Sequence, residues 1–130
     1  MHLSDFAVCL GKGQPVSGCS LPLDAAVLQA EKRCPGHPYC LVSNWILFDL
    51  EVTNEQREAV RLAGQYPRAI YAGHVVLDSI GRFQEGDWVK STLQIWYEDS
   101  GLFCTRNTLY ILLGNGRRHP LSLKDFLSFS

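Results

Sequence analysis

The chain has no excess of charge of either sign, and that absence removes the commonest route to nucleic acid. Its 12 basic and 13 acidic residues leave a formal net charge of −1, whereas a protein held on phosphates by counterion release is clearly basic. Long apolar runs are also missing. The longest, such as Tyr110-Ile111-Leu112-Leu113, have the length of a strand and fall well short of the roughly 20 residues a membrane helix needs. The opening Met1-His2-Leu3-Ser4-Asp5-Phe6 has neither the basic nor the sustained apolar region of a secretory leader. A soluble, cytoplasmic protein without a membrane partner is the expectation.

Paired cysteine spacing is absent too. Cys9, Cys19, Cys34, Cys40 and Cys104 form an odd, irregular set, which points to free thiols in a reducing compartment rather than a disulfide framework. There are no repeats, low-complexity tracts or linkers. With 130 residues, 46% apolar and 19% charged, the composition is that of one globular domain, large enough to bury roughly two thirds of its unfolded surface without a metal or disulfide.

What is present reads as elements of both kinds. Residues 1–20, broken by Gly11, Gly13, Pro15 and Gly18, suggest an irregular arm. Leu23, Val27, Ala30 and Cys34 recur at helical spacing after Pro22, and Pro35-Gly36 ends the helix. Tyr39–Ser43 and Trp45–Val52 read as strands on either side of Asn44; in the second, Ile46, Phe48, Leu50 and Val52 alternate with Trp45, Leu47, Asp49 and Glu51. Thr53-Asn54-Glu55-Gln56 has capping-box spacing and predicts a helix to about Ala63. Strands follow over Ala69–Asp78, Asp87–Tyr97 and Leu102–Leu113, the last two joined through Glu98-Asp99-Ser100-Gly101. Gly114–Arg118 reads as a loop, and Ser122 caps a short helix, Leu123–Leu127. The direct hairpin favours an α+β fold: an antiparallel sheet of about five strands, two main helices and a short C-terminal helix.

Catalytic and cofactor signatures are wanting. Gly11-Lys12-Gly13 and Gly114-Asn115-Gly116 lack the third glycine of a dinucleotide fingerprint and the lysine of a phosphate loop, so both read as turns and no cofactor is expected. Cys34, His37 and Cys40 are weak zinc candidates, three ligand types with no fourth in sight; small buried thiols explain them as well. His74 with Asp49 or a cysteine such as Cys104 would suit a small hydrolase or nucleotide-binding enzyme, but no nucleophile elbow accompanies them.

The aromatic pattern says more. On the expected 87–97 strand, Trp88, Lys90 and Trp96 share one face with Thr92 and Gln94; on its partner, Arg106 and Tyr110 share another with Thr108. If the register allows, Trp88, Lys90, Trp96, Arg106 and Tyr110 form one surface, joined by Trp45 and His74. Tryptophan, tyrosine and arginine dominate protein-binding hot spots. The bland alternative is that a helix or the N-terminal arm covers them. Base stacking on the same group is disfavoured by the balanced charge.

The segments Gly81–Thr92, with Phe83, Trp88 and Lys90, and Thr105–Gly114, with Arg106 and Tyr110, together with Pro38-Tyr39-Cys40-Leu41-Val42, Trp45 and Asp49, resemble an uncharacterised family, a domain of unknown function in small proteins of pseudomonads and their phages or prophages. The resemblance spans most of the chain and brings no catalytic residues with it. It implies a small accessory protein that binds a host protein, for instance of a defence or surface-appendage system. A non-enzymatic protein-binding module is therefore the leading expectation, with the enzyme and a homodimer built on the same aromatic surface as the alternatives.

Overall fold

The computed structural model describes residues 13–128. Along them run β1 (Gln14–Ser17), α1 (Leu23–Arg33), β2 (Tyr39–Glu51), α2 (Asn54–Leu62), β3 (Arg68–Asp78), β4 (Val89–Lys90), β5 (Trp96–Glu98), β6 (Leu102–Cys104), β7 (Leu109–Leu112), β8 (Asn115–Ser122) and α3 (Leu123–Ser128). The α+β class stands, as do the two main helices and the short C-terminal one. Of the expected N-terminal arm, residues 1–12 lie outside the described residues, and Gln14–Ser17 is a strand.

The sheet departs from expectation in two ways. It has eight strands rather than about five. It is also mixed rather than antiparallel, because β2 pairs antiparallel with β3 on one edge but runs parallel to β7 and then β8 on the other. Hairpins announce themselves locally in sequence. The return of β7 and β8 alongside β2 is a long-range pairing that no turn motif encodes.

β2 is the axis of the molecule. Within it Asn44 has a φ of 53°, a left-handed conformation that asparagine tolerates better than most residues. The twist shifts the inward–outward alternation by one. Cys40 and Val42 belong to the inner cluster before it, Trp45 and Leu47 after it. The two strands expected around Asn44 are thus one strand with a slip of phase.

The segment 89–98 closes the sheet on itself. Its first part pairs with β3 through Tyr71 and Lys90, and its last with β6 through Trp96 and Cys104. Between them the Gln94 N–H donates to Arg68 O and the Tyr66 N–H to Gln94 O, each at 2.8 Å. The single strand expected over Asp87–Tyr97 is therefore two short strands serving opposite edges. The strand expected over Leu102–Leu113 also divides, at a turn where Thr105 Oγ1 accepts the N–H groups of Asn107 and Thr108. Gly114–Arg118 is not a loop: from Asn115 onward it is β8.

Curling buries both faces of β2. Inside lie Trp45, Leu47, Ile70, Val75, Phe103 and Leu112. Outside, Ala26 and Ala30 of α1 cover Leu41, Leu102, Leu109 and Ile111, and Phe126 of α3 covers Ile46, Phe48, Leu50 and Ala69. α2 starts at the expected capping box: Thr53 Oγ1 accepts the Gln56 N–H at 3.1 Å, and Gln56 Oε1 accepts the Thr53 N–H at 2.9 Å. Each end of the curled sheet carries an ion pair, Asp78 with Arg82 at one and Asp49 with Arg68 and Arg118 at the other.

Candidate functional site

The outer face of the sheet carries a row of direct strand partners: Pro15, Arg117, Ile46, Tyr71 and Lys90, one from each of β1, β8, β2, β3 and β4. Direct partners project to the same side, so this row crosses five strands, roughly 19 Å at the usual spacing. At the Ile46 end of α3 the face is covered by Phe126. Away from α3 it opens into a cleft of about 580 Å³ lined by Arg117, Asn44, Asn115, Tyr71, Ile46 and Pro15, with Trp45, Gly73 and Gly116 also bordering it.

Two sequence features make the hollow. Gly73 supplies no side chain, and a Cβ there would meet only ordinary contacts, Asn44 Cβ at 3.5 Å and the Tyr71 hydroxyl at 3.8 Å. The tyrosine thus reaches across the glycine toward Asn44. Asn44 itself is at the surface because its left-handed backbone interrupts the pleat. Burial raises the Tyr71 phenol above its ordinary range, so at neutral pH it remains a neutral hydroxyl. Trp88 stacks against Tyr71 with ring centroids 6.0 Å apart and planes 29° apart, and it is 48% exposed.

The remaining expected site residues are dispersed. Lys90 lies beside Trp88, its Nζ donating to Phe126 O at 2.9 Å and sitting 5.0 Å from that ring; burial lowers its pKa. Trp96 faces α1 instead, under the Arg33 guanidinium at 5.0 Å, with Arg33 also paired to Glu98. Here the bland reading holds, since a helix covers the ring. Arg106 donates to Ala63 O at 2.6 Å, satisfying a carbonyl at the C-terminus of α2. Tyr110 is buried in the inner cluster, its phenol pushed up to about 12 by burial and by Cys40. Trp45 is 1% exposed, and its Nε1–H donates to Leu113 O at 3.0 Å. A single surface holding all six does not form, because the 87–97 segment changes partners midway and the slip at Asn44 turns Trp45 inward.

The other candidates also separate. Cys40 lies in the inner cluster, its thiol raised to about 12 by burial and then by Asp78, while Cys34 packs on the outside beneath α1. The sheet wall stands between them, so the Cys34–His37–Cys40 trio does not converge; among the described residues no group of three metal-ligating side chains gathers. His74 faces Ser43 and Asp49 faces Arg68 in the β2–β3 register, six positions apart on β3 and so roughly 20 Å. Asp49 is instead held by Arg68 at 3.1 Å and by Arg118 at 2.5 Å; burial would raise its carboxyl, but these partners keep it below the usual range. That dyad is not available for acid–base work.

Of the residues expected from sequence, Trp45 borders the cleft and Trp88 joins it only through its stacking on Tyr71, whereas Tyr71, Asn44, Asn115 and Arg117 are not among them. Two signals pointed there: a glycine inside the otherwise β-branched and aromatic 69–78 strand, and an asparagine in the middle of a continuous apolar run.

A family model described as a domain of unknown function, DUF6957, matches residues 17–128. No curated protein and no solved structure matches the chain. Among the described residues no helix is long and apolar enough to cross a membrane.

Proposed function

Since the chain belongs to the DUF6957 family, a domain of unknown function, its role must be read from its own surface, and we propose that it is a small non-enzymatic protein-binding module. The observation that carries this reading is Trp88, half exposed and stacked on Tyr71, which lines the cleft. A large aromatic held in place by a second ring presents apolar area at little conformational cost, which is the property of hot-spot anchors. The adjoining hollow offers amide and guanidinium groups around it, the mixture of anchor and polar rim that interfaces use. The resemblance to small proteins of pseudomonads and their phages makes a host protein the expected partner, in a defence or appendage system.

The test is quantitative capture of host proteins on the immobilised chain and on Trp88→Ala, with Leu62→Ser on α2 as a surface control. Folded Trp88→Ala should lose the captured protein by tenfold or more while the control keeps it. Equal capture by both would remove this face from consideration. Light scattering at two concentrations addresses the alternative of self-association through the same ring pair, which would appear as a mass that doubles with concentration.

A further inference from the structure

The cleft beside Trp88 has a chemistry of its own. Among the described residues that line it, Arg117 carries the one charge, and no carboxylate borders it. Among the described residues Arg33 pairs with Glu98, Arg61 with Glu58, Arg68 and Arg118 with Asp49, and Arg82 with Asp78, whereas none of these ion pairs involves Arg117. Alternation along β8 separates Arg118, which turns to Asp49, from Arg117, which turns to the cleft. Sharing the cleft with Arg117 are the side-chain amides of Asn44 and Asn115, groups that donate hydrogen bonds and do not repel an anion.

Resting on the binding-module reading, we propose that the cleft is a carboxylate receptor, and that the segment it takes is an extended acidic stretch of the protein partner. A guanidinium meets a carboxylate with two parallel N–H donors. Asn115 stands two residues before Arg117 on β8 and Asn44 on the adjoining β2, from where both would donate to the same group or to the peptide bonds next to it. Gly73, where a Cβ would meet nothing closer than 3.5 Å, leaves room for a backbone to approach. An aromatic or aliphatic residue adjacent to the acid would then lie against Trp88 and Tyr71. Charge complementarity selects the occupant: the cleft is short, singly charged and amide-rimmed, whereas a nucleic-acid strand would call for a continuous basic track.

The probe is a terminally blocked hexapeptide of alternating glutamate and glycine, titrated into the ¹⁵N-labelled chain, with the glutamine–glycine hexapeptide as its neutral twin. Saturable shifts are expected at the side-chain amides of Asn44 and Asn115, at Arg117 Nε and at the Gly73 N–H, weakening at least tenfold with Arg117→Gln and with the neutral peptide. Equal shifts with the neutral peptide, shifts elsewhere, or none would overturn the receptor, as would tighter binding of a single-stranded oligonucleotide or of inorganic phosphate at the same residues. Host-protein capture separates the two levels. Loss of capture with Trp88→Ala but not with Arg117→Gln would sink the carboxylate site and keep the module, whereas capture indifferent to both would sink the module as well.

Discussion

Gly116 of β8 lies flat against the indole of Trp45. A Cβ at position 116 would stand 2.5 Å from both Cε2 and Cε3 of that ring, and a Cβ at Gly18 would stand 2.8 Å from its Cζ2. The largest side chain of the interior is therefore approached closely by two residues that have none, which is how a 13-residue strand can carry a tryptophan at the point where its neighbour changes from β7 to β8.

Gly116→Ala should consequently overpack the interior and cost about 1–3 kcal/mol, read as a lower urea midpoint at unchanged slope. Gly73→Ala is the matched comparison, since its Cβ meets nothing closer than 3.5 Å; it should fall within about 1 kcal/mol of wild type. An unshifted midpoint for Gly116→Ala would mean that the ring does not sit where the packing places it.

Thr53 and Gln56 exchange two hydrogen bonds at the start of α2. Thr53→Ala removes the side-chain acceptor and should lower stability by about 1 kcal/mol, while Thr53→Ser should keep nearly all of it. Thermal unfolding of the pair checks this. Because α2 buries only Val60, its amides should also exchange faster than those of β2, and faster still in Thr53→Ala.

How far these features were legible depends on their range in the chain. The capping box, the Pro35-Gly36 stop and the Glu98–Gly101 turn are local chemistry, and each helix and hairpin they imply is present. Alternation in Trp45–Val52 correctly split its residues between two faces. Yet period two cannot say that both faces are buried, one by curling and one by α3. The cleft is less legible still, since Arg117, Ile46 and Tyr71 become neighbours only through one parallel and one antiparallel pairing. Trp96 and Tyr110 do not share a surface with Trp88 because Gln94 and Thr105 redirect the chain where alternation alone predicts continuous strands.

The thiols should differ in reactivity. Burial pushes Cys40 up to about 12 and Cys104 up to about 11, so at pH 7.5 both are protonated and shielded from an alkylating agent. Cys34 is half-buried at the end of α1. Iodoacetamide followed by peptide mass spectrometry should label Cys34 before Cys40 and Cys104, which are modified only in urea. Early labelling of Cys40 in the native protein would contradict its place in the interior.

Asp78 offers the sharpest electrostatic test. Its side chain is fully covered, and Arg82 meets it at 2.7 Å through Nη2, at 3.1 Å through Nε and at 2.6 Å through the backbone N–H. Burial alone would raise its pKa, but the Arg82 hydrogen bonds outweigh it and hold the carboxyl below its ordinary value. A group depressed on folding contributes stability above its unfolded pKa and loses it as the pH falls through the folded one. Arg82→Met deletes the cation and leaves a buried carboxylate, a loss of about 3–5 kcal/mol at pH 7. In that variant burial dominates, the folded pKa rises, and protonation now relieves the fold. The gap in urea midpoint between wild type and Arg82→Met should therefore narrow steadily from pH 7 to pH 3. A gap that stays constant over that range would show that the arginine acts by packing on Phe83, whose ring lies 5.5 Å from its guanidinium, and not by charge.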